Sequence, residues 1–555
     1  MKRRRSPLGC LSLLLFLAGL CAAGIYGYRR YMPTSERADL AGLYGSGEEG
    51  QVTLFLNYEK QEETGLYADG QTYVPVDWVN KNLNERFYWD SQEELLVYAL
   101  PEEIVTAEET TLGAGGKPIL LRHGDTVYLS LGLVLNYTDI RLGVYDSGPW
   151  KRVYVENQWD PVSVASVKAD GKIRLRGGVK SPIITEAYEG EAVTVLETLD
   201  HWSRVMTQDG HIGYMFNRKL SDLHEETPES SFVAPEYSHI SMDEKIVMVW
   251  HQVTTEAANG AMEELMSTTS GVNVIAPTWF TLSDNQGRYT SLASKSYVDR
   301  AHAMGLQVWA VLDNFNGNAR ENVQTEELLS RTSVRQRLID NLMKEADACG
   351  FDGINLDFEG LKEAAGPHYV QFIRELSVSC RRKGLVLSVD NYVPAAYNRF
   401  YNRREQGIVA DYVIIMGYDE HYAGGEPGSV ASLPYVKNGI EDTLELVPRE
   451  RVINGVPFYT RLWTERDGET SASSMGIAAA KKWIAENNVE MIWDDSLGQY
   501  YGELVSSGET MRLWMEEEKS LGLKMDVIRE KDLAGVAGWK LGLETADIWK
   551  VIGWK

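Results

Sequence analysis

The feature that most constrains the fold is a regular alternation of short apolar runs and helix-like segments between residues 237 and 555. The apolar runs lie at 245–250, 272–279, 307–312, 351–360, 385–390, 412–419, 452–458 and 535–541. Helical periodicity is clearest at 298–304, 333–348 and 369–382. Strands that alternate with helices pair in parallel, so eight repeats in roughly 310 residues predict an α/β fold, a closed (β/α)8 TIM barrel.

The fourth apolar run carries polar residues where a barrel strand is usually apolar. Asn355, Asp357 and Glu359 alternate with apolar residues, so these three side chains share one face of the strand. A half-exposed antiparallel strand would give the same pattern. In a (β/α)8 barrel the C-terminal ends of the strands carry the active site. The pattern then predicts catalytic carboxylates at the end of the fourth strand.

Two loops of the predicted barrel are of interest. The polar segment 314–324 follows the third strand and is expected to form a rim of the site. The segment 464–532, between the seventh and eighth strands, is long enough to be an insertion and holds Trp493 and Trp514. Aromatic residues on such an insertion either wall a cleft or form its own core, and we expect the second for Trp514.

The region before the barrel is predicted to contain two small modules. Residues 51–157 hold two weakly similar copies of a turn, strand, short helix and hairpin, with a period of roughly 50 residues. Residues 161–223 contain short strands with tight turns, including a hairpin signal at Asp209-Gly210. The polar segments 32–50 and 224–236 are predicted linkers. This order predicts an α+β stalk module and a small β-barrel domain ahead of the domain at 237–555.

An apolar segment at residues 8–28 follows four basic residues at positions 2–5. Some 20 apolar residues suffice to cross a bilayer, and the preceding basic cluster favours a cytoplasmic N-terminus. Residues 1–31 are therefore predicted to form a cytoplasmic stub and a single-pass membrane anchor, with the later domains extracellular. A cleaved signal peptide is the alternative, since small residues near Cys21 offer a cleavage site, and the protein would then be secreted.

Charge and cysteine content argue against several classes of function. The net charge of −25 disfavours nucleic acid as a partner. Beyond the apolar segment only Cys349 and Cys380 remain, too few for a disulfide framework. We expect them to be buried free thiols, with a single bridge as the alternative. No cysteine or histidine cluster has the spacing of metal ligands, so neither a metal nor a cofactor is expected.

Three motifs on the predicted barrel strands carry a resemblance. Asp352, Asp357 and Glu359 fill three of the four acidic positions of the signature D-x-x-D-x-D-x-E, and Asn355 occupies the other. The run Met416-Gly417-Tyr418-Asp419 matches the element Met-x-Tyr-Asp, and Trp539 matches a tryptophan on the eighth strand. Residues 237–555 therefore resemble family 18 glycoside hydrolases.

Finer resemblances concern the branch of the family and the preceding modules. The asparagine in the signature, together with residues 512–519, is similar to the branch that holds bacterial spore-cortex and peptidoglycan N-acetylglucosaminidases. Residues 51–157 resemble a stalk module related to the N-terminal domain of copper amine oxidases, which implies no copper ligands. Residues 161–223 resemble a bacterial Src-homology-3-type domain, which serves either as a spacer or to bind cell-wall peptide.

The family resemblance implies substrate-assisted retaining catalysis, in which the carbonyl oxygen of the sugar's 2-acetamido group attacks the anomeric carbon. Glu359 is then expected to act as general acid and later as base, with a pKa above the usual value of about 4.3. Asp357 is expected to favour protonated Glu359 and to hold the acetamide N–H. Tyr418 is expected to hydrogen-bond the acetamide oxygen.

The resemblance and the positions of aromatic residues also give a set of expected substrate-binding residues. They are Asn355, Met416, Asp419, Trp539, Trp279 and Trp493. Asn355 is expected to hydrogen-bond Asp357. Because an amide cannot ionise, the variant Asn355→Asp is expected to remain active with a shifted acid limb.

The expected partners are a membrane, through the N-terminal helix, and a cell-wall polysaccharide of N-acetylglucosamine. The extracellular location and the two modules favour cleavage of β-1,4 bonds after N-acetylglucosamine in peptidoglycan. A chitinase or chito-oligosaccharide hydrolase is one alternative. A non-hydrolytic sugar-binding protein of the same fold is another, and the acid at Glu359 argues against it.

Overall fold

The computed structural model describes residues 7–45, 50–317 and 319–554. The basic cluster at 2–5 and the linker residues 46–49 lie outside these ranges. The chain forms two compact units, one of Met1–Phe87 and Ala107–Ala234 and the other of Tyr88–Thr106 and Pro235–Lys555. The predicted stalk range of 51–157 thus includes a segment, Tyr88–Thr106, that belongs to the second unit.

The first unit contains two seven-stranded sheets. The first sheet consists, in spatial order, of Leu120–His123, Thr126–Ser130, Gln71–Pro75, Glu59–Ala68, Gln51–Leu56, Lys151–Glu156 and Arg141–Tyr145. The helices Leu40–Tyr44, Val76–Asn82 and Leu131–Tyr137 accompany it. The second sheet consists of Ile183–Ala187, Gly171–Arg174, Ile212–Phe216, Trp202–Thr207, Ala192–Thr198, Val162–Val167 and Leu220–Glu226. Its predicted hairpin is present, because Trp202–Thr207 and Ile212–Phe216 pair antiparallel across the Asp209-Gly210 turn.

The N-terminal apolar segment forms the helix Pro7–Tyr31. Its stretch Leu11–Tyr31 has a mean hydropathy of 1.9 and is long and apolar enough to cross a membrane. Length and composition are equally compatible with a signal anchor and with a signal peptide.

The second unit is built on a closed barrel of eight parallel strands. These are β1 (Ile246–His251), β2 (Val274–Pro277), β3 (Gln307–Asp313), β4 (Gly353–Asp357), β5 (Val386–Tyr392), β6 (Tyr412–Met416), β7 (Val452–Pro457) and β8 (Gly535–Trp539). Each strand pairs in parallel with its sequence neighbours, and β8 pairs with β1 to close the barrel. The predicted TIM-barrel fold is confirmed.

Helices surround the barrel between the strands. They are Met262–Met266, Lys295–Ala303, Ala319–Asn322, Thr325–Ser330, Thr332–Cys349, Gly366–Lys383, Arg403–Val409, Leu433–Leu444, Glu518–Glu530 and Trp549–Ile552. The three helices with the clearest periodicity are confirmed. The two helices before β4 and β5 end at Gly350 (φ 77°) and Gly384 (φ 68°), where a left-handed backbone leads the chain into the next strand. Cys349 and Cys380, near these ends, are buried free thiols.

The predicted insertion between β7 and β8 forms an antiparallel sheet of five strands with one helix. The strands are, in spatial order, Glu469–Gly476, Tyr459–Arg466, Glu509–Met515, Gln499–Ser506 and Met491–Asp494, and the helix is Ile477–Glu486. Within this sheet Trp514 packs against Tyr501, with ring centroids 5.1 Å apart. Trp514 thus contacts the insertion itself, as predicted.

Candidate active site

The polar residues of β4 lie inside the barrel. All five residues of the strand are buried, and both neighbouring strands pair with it in parallel. The alternative of a half-exposed antiparallel strand is therefore wrong. Because the strand alternates, Asn355 and Asp357 point to the same side, with 0% and 5% of their surface exposed. A buried polar pair of this kind needs partners from other strands.

Asn355 finds its partners on β1 and β5. Its amide nitrogen donates to Ser388 Oγ at 3.0 Å and to Asp390 Oδ1 at 2.8 Å. Its amide oxygen accepts a hydrogen bond from Trp250 Nε1 at 2.9 Å. The expected hydrogen bond from Asn355 to Asp357 is therefore wrong. Both amide hydrogens are directed across to the neighbouring strand.

Asp357 and Asp390 form a buried pair of carboxyl groups. Asp357 Oδ1 and Asp390 Oδ2 are buried and have no hydrogen-bond partner among the residues that the structure describes. Burial raises the pKa of Asp357 well above its ordinary value, and the neighbouring negative charge of Asp390 raises it further. Burial also raises the pKa of Asp390, against the hydrogen bond from Asn355. The pair therefore retains a proton where an exposed carboxyl would be ionised.

Glu359 follows β4 at the mouth of the barrel and is held through both backbone and side chain. Its amide N–H donates to Asn314 Oδ1 at 2.8 Å, and Asn314 Nδ2 donates to its carbonyl oxygen at 3.0 Å. Its carboxyl accepts a hydrogen bond from the Tyr392 hydroxyl at 2.8 Å. Burial raises the pKa of Glu359, and the Tyr392 hydrogen bond opposes that rise. Such a carboxyl can give up a proton and take it back.

Two further expected residues, Tyr418 after β6 and Trp539 at the end of β8, lie around the indole of Trp250. The ring of Tyr418 lies 6.5 Å and that of Trp539 lies 5.7 Å from the Trp250 ring. Burial raises the pKa of Tyr418 well above its ordinary value, so its hydroxyl stays protonated and can donate. Met416 ends β6 with 7% of its surface exposed. Since Trp250 also binds Asn355, the residues Trp250, Asn355, Tyr418 and Trp539 form one cluster.

Asp419 is fixed beside this cluster by an unusual backbone and two donors. Its φ of 60° lies in the left-handed region, which non-glycine residues seldom adopt. Its Oδ1 accepts hydrogen bonds from the Tyr459 hydroxyl at 2.5 Å and from Arg461 Nη2 at 2.6 Å. The side chain is thus oriented before any ligand arrives.

Trp279 and Trp493 contact residues outside the Trp250 cluster. Trp279 is 1% exposed, and its indole N–H donates to Asn259 Oδ1 at 2.9 Å. Trp493 lies on the insertion, where the Lys519 ammonium sits 3.3 Å from its ring centroid. Neither is among the described residues that line the cleft with Glu359, and the same is true of Asp357, Tyr418, Asp419 and Trp539. Their expected contact with substrate stays a prediction.

The cleft that contains Glu359 has a volume of about 950 Å³. Its described walls are residues 88, 89, 91, 92, 314, 315, 320, 323–327, 330, 359–362, 365, 368 and 392. The predicted rim at 314–324 therefore borders the cleft. Asp352 lies elsewhere, accepting hydrogen bonds from Val308 N at 2.7 Å and His302 Nε2 at 2.8 Å, as befits a structural residue.

Sequence reasoning missed three residues of this site, Asp390, Tyr392 and Asn314. A usable signal was present for the first two. The residues Ser388, Asp390 and Tyr392 repeat on β5 the alternation seen on β4. The polar side chains of these two adjacent parallel strands therefore lie side by side on the same face of the sheet. For Asn314 the signal was its position directly after β3, at the catalytic end of a barrel strand.

Comparison with known proteins agrees with this geometry. The sequence profile of Glycosyl hydrolases family 18 matches residues 247–544. A Bacillus subtilis protein named uncharacterized glycosylase YvbX is 27% identical over 290 residues, which are 51% of this chain and 84% of that protein. A cortical fragment-lytic enzyme of Bacillus subtilis is 27% identical over 251 residues, 44% of this chain and 58% of the relative. The chain thus spans little more than half of the second relative.

Solved structures share the fold. A chitinase from Chromobacterium violaceum matches with a TM-score of 0.50 and 22% identity, over 56% of this chain and 98% of that one. The spore cortex-lytic enzyme SleL of Bacillus cereus matches with a TM-score of 0.51 and 18% identity, over 62% and 77%. The family profile covers more than half of the chain and includes all eight barrel strands apart from the first residue of β1. The chain therefore belongs to family 18 of the glycosyl hydrolases, and it is a glycosidase.

Proposed function

We propose that the protein is a membrane-anchored extracellular glycosidase that cleaves β-1,4 bonds after N-acetylglucosamine in peptidoglycan. The observation that carries this proposal is the position of Glu359, an acid with a raised pKa at the catalytic end of the barrel, behind which lies the buried Asp357–Asp390 pair. A proton donor next to a group that can orient an acetamide is the minimum that substrate-assisted hydrolysis requires.

In the first step Glu359 donates its proton to the glycosidic oxygen. The C1–O bond breaks, and its electron pair stays on the departing oxygen. The acetamide carbonyl oxygen of the same sugar bonds to C1, which gives an oxazolinium intermediate. In the second step the Glu359 carboxylate takes a proton from water, whose oxygen attacks C1 and opens the oxazolinium ring. Two inversions at C1 give net retention.

Asp357 takes part by accepting the acetamide N–H. It accepts best when ionised, and Asp390 provides the means. When Asp390 carries the proton of the pair, Asp357 is ionised and accepts the acetamide N–H. Asn355 keeps Asp390 in place through its hydrogen bond of 2.8 Å. Tyr418, protonated because of its burial, orients the acetamide oxygen from the other side of the cluster.

The choice of polymer rests on two supports. The N-terminal helix suits a membrane anchor, and the basic residues at positions 2–5 favour an orientation with the barrel outside the cell. The modules at 51–157 and 161–223 are proposed to be a stalk and a Src-homology-3-type domain of the cell-wall kind.

The acetamide can be tested directly as the nucleophile. We expect chito-oligosaccharides to be cleaved and the same oligosaccharides without N-acetyl groups to be resistant, because a free amine has no carbonyl oxygen to attack C1. The measurement is the release of reducing ends at equal substrate concentration. Comparable cleavage of both substrates would refute the substrate-assisted step.

The variant Asn355→Asp is expected to remain active while its acid limb moves to higher pH. A third carboxyl next to the buried pair raises the pKa at which Asp357 ionises, because like charges oppose ionisation. The measurement is kcat/KM against pH, with Ser388→Ala as a control that removes an Asn355 partner without adding charge. An unchanged profile in Asn355→Asp would show that this position is electrostatically silent.

The variant Tyr392→Phe is expected to move the alkaline limb of kcat/KM to higher pH. The hydroxyl stabilises the ionised form of Glu359, so its removal raises the pKa of Glu359 further and the acid stays protonated longer. Tyr401→Phe is the matched control, because that hydroxyl donates to the carbonyl oxygen of Phe358 at 3.1 Å. Equal alkaline limbs in wild type and Tyr392→Phe would contradict the assignment.

A further inference from the structure

A segment that lies within the predicted stalk range contributes to the cleft of the barrel. Tyr88–Thr106 is part of the second unit, while the chain on either side of it belongs to the first. It contains the strands Tyr88–Asp90 and Leu95–Ala99, which pair antiparallel in a three-stranded sheet with Ile104–Ala107. We call Tyr88–Ala99 the cleft hairpin.

The cleft hairpin is attached to the barrel through a buried polar network around Tyr88. The Tyr88 hydroxyl lies 2.6 Å from His368 Nδ1 and accepts a hydrogen bond from Arg335 Nη1 at 3.2 Å. The Arg335 guanidinium lies 4.6 Å from the centroid of the Tyr88 ring and pairs with Glu375 at 2.9 Å. Arg335 and Glu375 are both almost fully buried, so this attachment has a fixed geometry.

The turn after Tyr88 is attached to the start of the helix Thr332–Cys349. Asp90 Oδ2 accepts hydrogen bonds from the Thr332 amide at 2.6 Å and from its hydroxyl at 2.7 Å. Glu93 accepts a hydrogen bond from the amide of Ser333 at 2.8 Å. Carboxylates at a helix N-terminus satisfy free N–H groups and interact well with the helix dipole. The cleft hairpin therefore has two independent attachments to the barrel unit.

The residue between the two attached positions, Trp89, lines the cleft. On the strand Tyr88–Asp90 the outer two residues are buried, and alternation turns Trp89 to the opposite face. Trp89 is half-buried, and it lines the same cleft as Glu359, together with the exposed residue Gln92. The cleft volume of about 950 Å³ is near the upper end of the range for small-ligand sites, roughly 300–1,000 Å³, and leaves room for more than one sugar ring.

We propose that the cleft hairpin forms a saccharide subsite, in which the indole of Trp89 packs against the apolar face of a pyranose ring at a distance from the scissile bond. This inference rests on the proposed function and specifies where the polymer extends beyond the cleaved linkage. A rigid indole presents a large apolar surface at low entropic cost, and polar neighbours such as Gln92 can bind the ring hydroxyls.

Hydrolysis of long and short substrates tests the subsite. For Trp89→Ala we expect the ratio of kcat/KM on chitohexaose to that on a chitobiose glycoside to fall by about tenfold, the effect of losing one well-packed aromatic contact. Trp89→Phe should recover part of the ratio. Tyr188→Ala, which removes an aromatic residue 54% exposed in the first unit, should leave the ratio unchanged. An unchanged ratio in Trp89→Ala would overturn the proposal.

Binding without turnover separates this proposal from the proposed function. Calorimetric titrations of Glu359→Gln and of Glu359→Gln/Trp89→Ala use chitohexaose and a peptide-free peptidoglycan hexasaccharide. We expect the second variant to bind one or both about tenfold more weakly. If the wild type cleaves neither glycan but this loss is seen, the subsite stands and the proposed function fails. Equal affinities of the two variants, or no binding of either glycan, would refute the subsite. Equal melting temperatures show that the cleft hairpin remains folded.

Discussion

Replacing Glu359 by glutamine is expected to lower kcat on peptidoglycan by a factor of about 10²–10⁴, the usual contribution of a positioned general acid–base group. The amide fills the same volume and can still accept the Tyr392 hydrogen bond, but it has no proton to give to the leaving oxygen. It also cannot accept a proton from water in the second step. Both halves of the reaction therefore slow, while substrate binding is retained.

The control for this variant separates chemistry from folding and binding. The affinity of Glu359→Gln for chitohexaose should stay within a few-fold of the KM of the wild type, since uniform binding is unaffected. Release of reducing ends is the readout for activity. If Glu359→Gln released reducing ends as fast as the wild type, the proton transfer assigned to this residue would be wrong.

Replacing Asp357 by asparagine is expected to lower kcat by about 10²–10³-fold, as for removal of a preorganised group that stabilises developing charge. The amide cannot balance the positive charge of the oxazolinium intermediate. It also loses the exchange of a proton with Asp390. Asp352→Asn is the matched control, because Asp352 is an acid of the same signature whose carboxyl is bonded to Val308 and His302 outside the cleft. Equal losses in both variants would contradict the role of Asp357.

Asp357→Asn should also be more stable than the wild type at neutral pH. The pKa values of the Asp357–Asp390 pair are raised in the folded state above the unfolded value of about 3.9, so folding keeps on the pair a proton that the unfolded chain releases. This costs stability above the unfolded pKa, and the amide removes that cost. The gain should vanish as pH falls below about 4. Chemical unfolding at pH 7 and pH 4 tests the sign, and lower stability of the variant at pH 7 would contradict it.

Much of the fold follows from patterns that the sequence makes plain. Eight apolar runs separated by helical periodicity predict a parallel closed barrel, since each run is short and needs a helix to return to the same edge. The long segment after β7 predicts an insertion, because a connection of that length seldom lacks secondary structure of its own. The packing of Tyr88–Thr106 on the barrel could not be predicted in this way. Its alternation is that of any hairpin, and its partners lie about 240 residues further along the chain.

The site was predictable along a strand but not across strands. The alternation of Asn355, Asp357 and Glu359 predicts a common face, and the structure keeps it for Asn355 and Asp357, while Glu359 follows the end of the strand. It does not give the register between β4 and β5, which places Asp390 within reach of Asn355. The expected hydrogen bond between Asn355 and Asp357 failed for this reason.

The most direct test of the account is mass spectrometry of the products released from purified cell walls, with chito-oligosaccharides treated in parallel. Cleavage after N-acetylglucosamine with its acetamide as nucleophile predicts muropeptides with N-acetylglucosamine at the reducing end. These should be absent, or reduced by the factor expected for kcat, when Glu359→Gln replaces the wild type. Products with N-acetylmuramic acid at the reducing end would contradict the account, because they would show that the bond after N-acetylmuramic acid is cleaved and not the bond after N-acetylglucosamine.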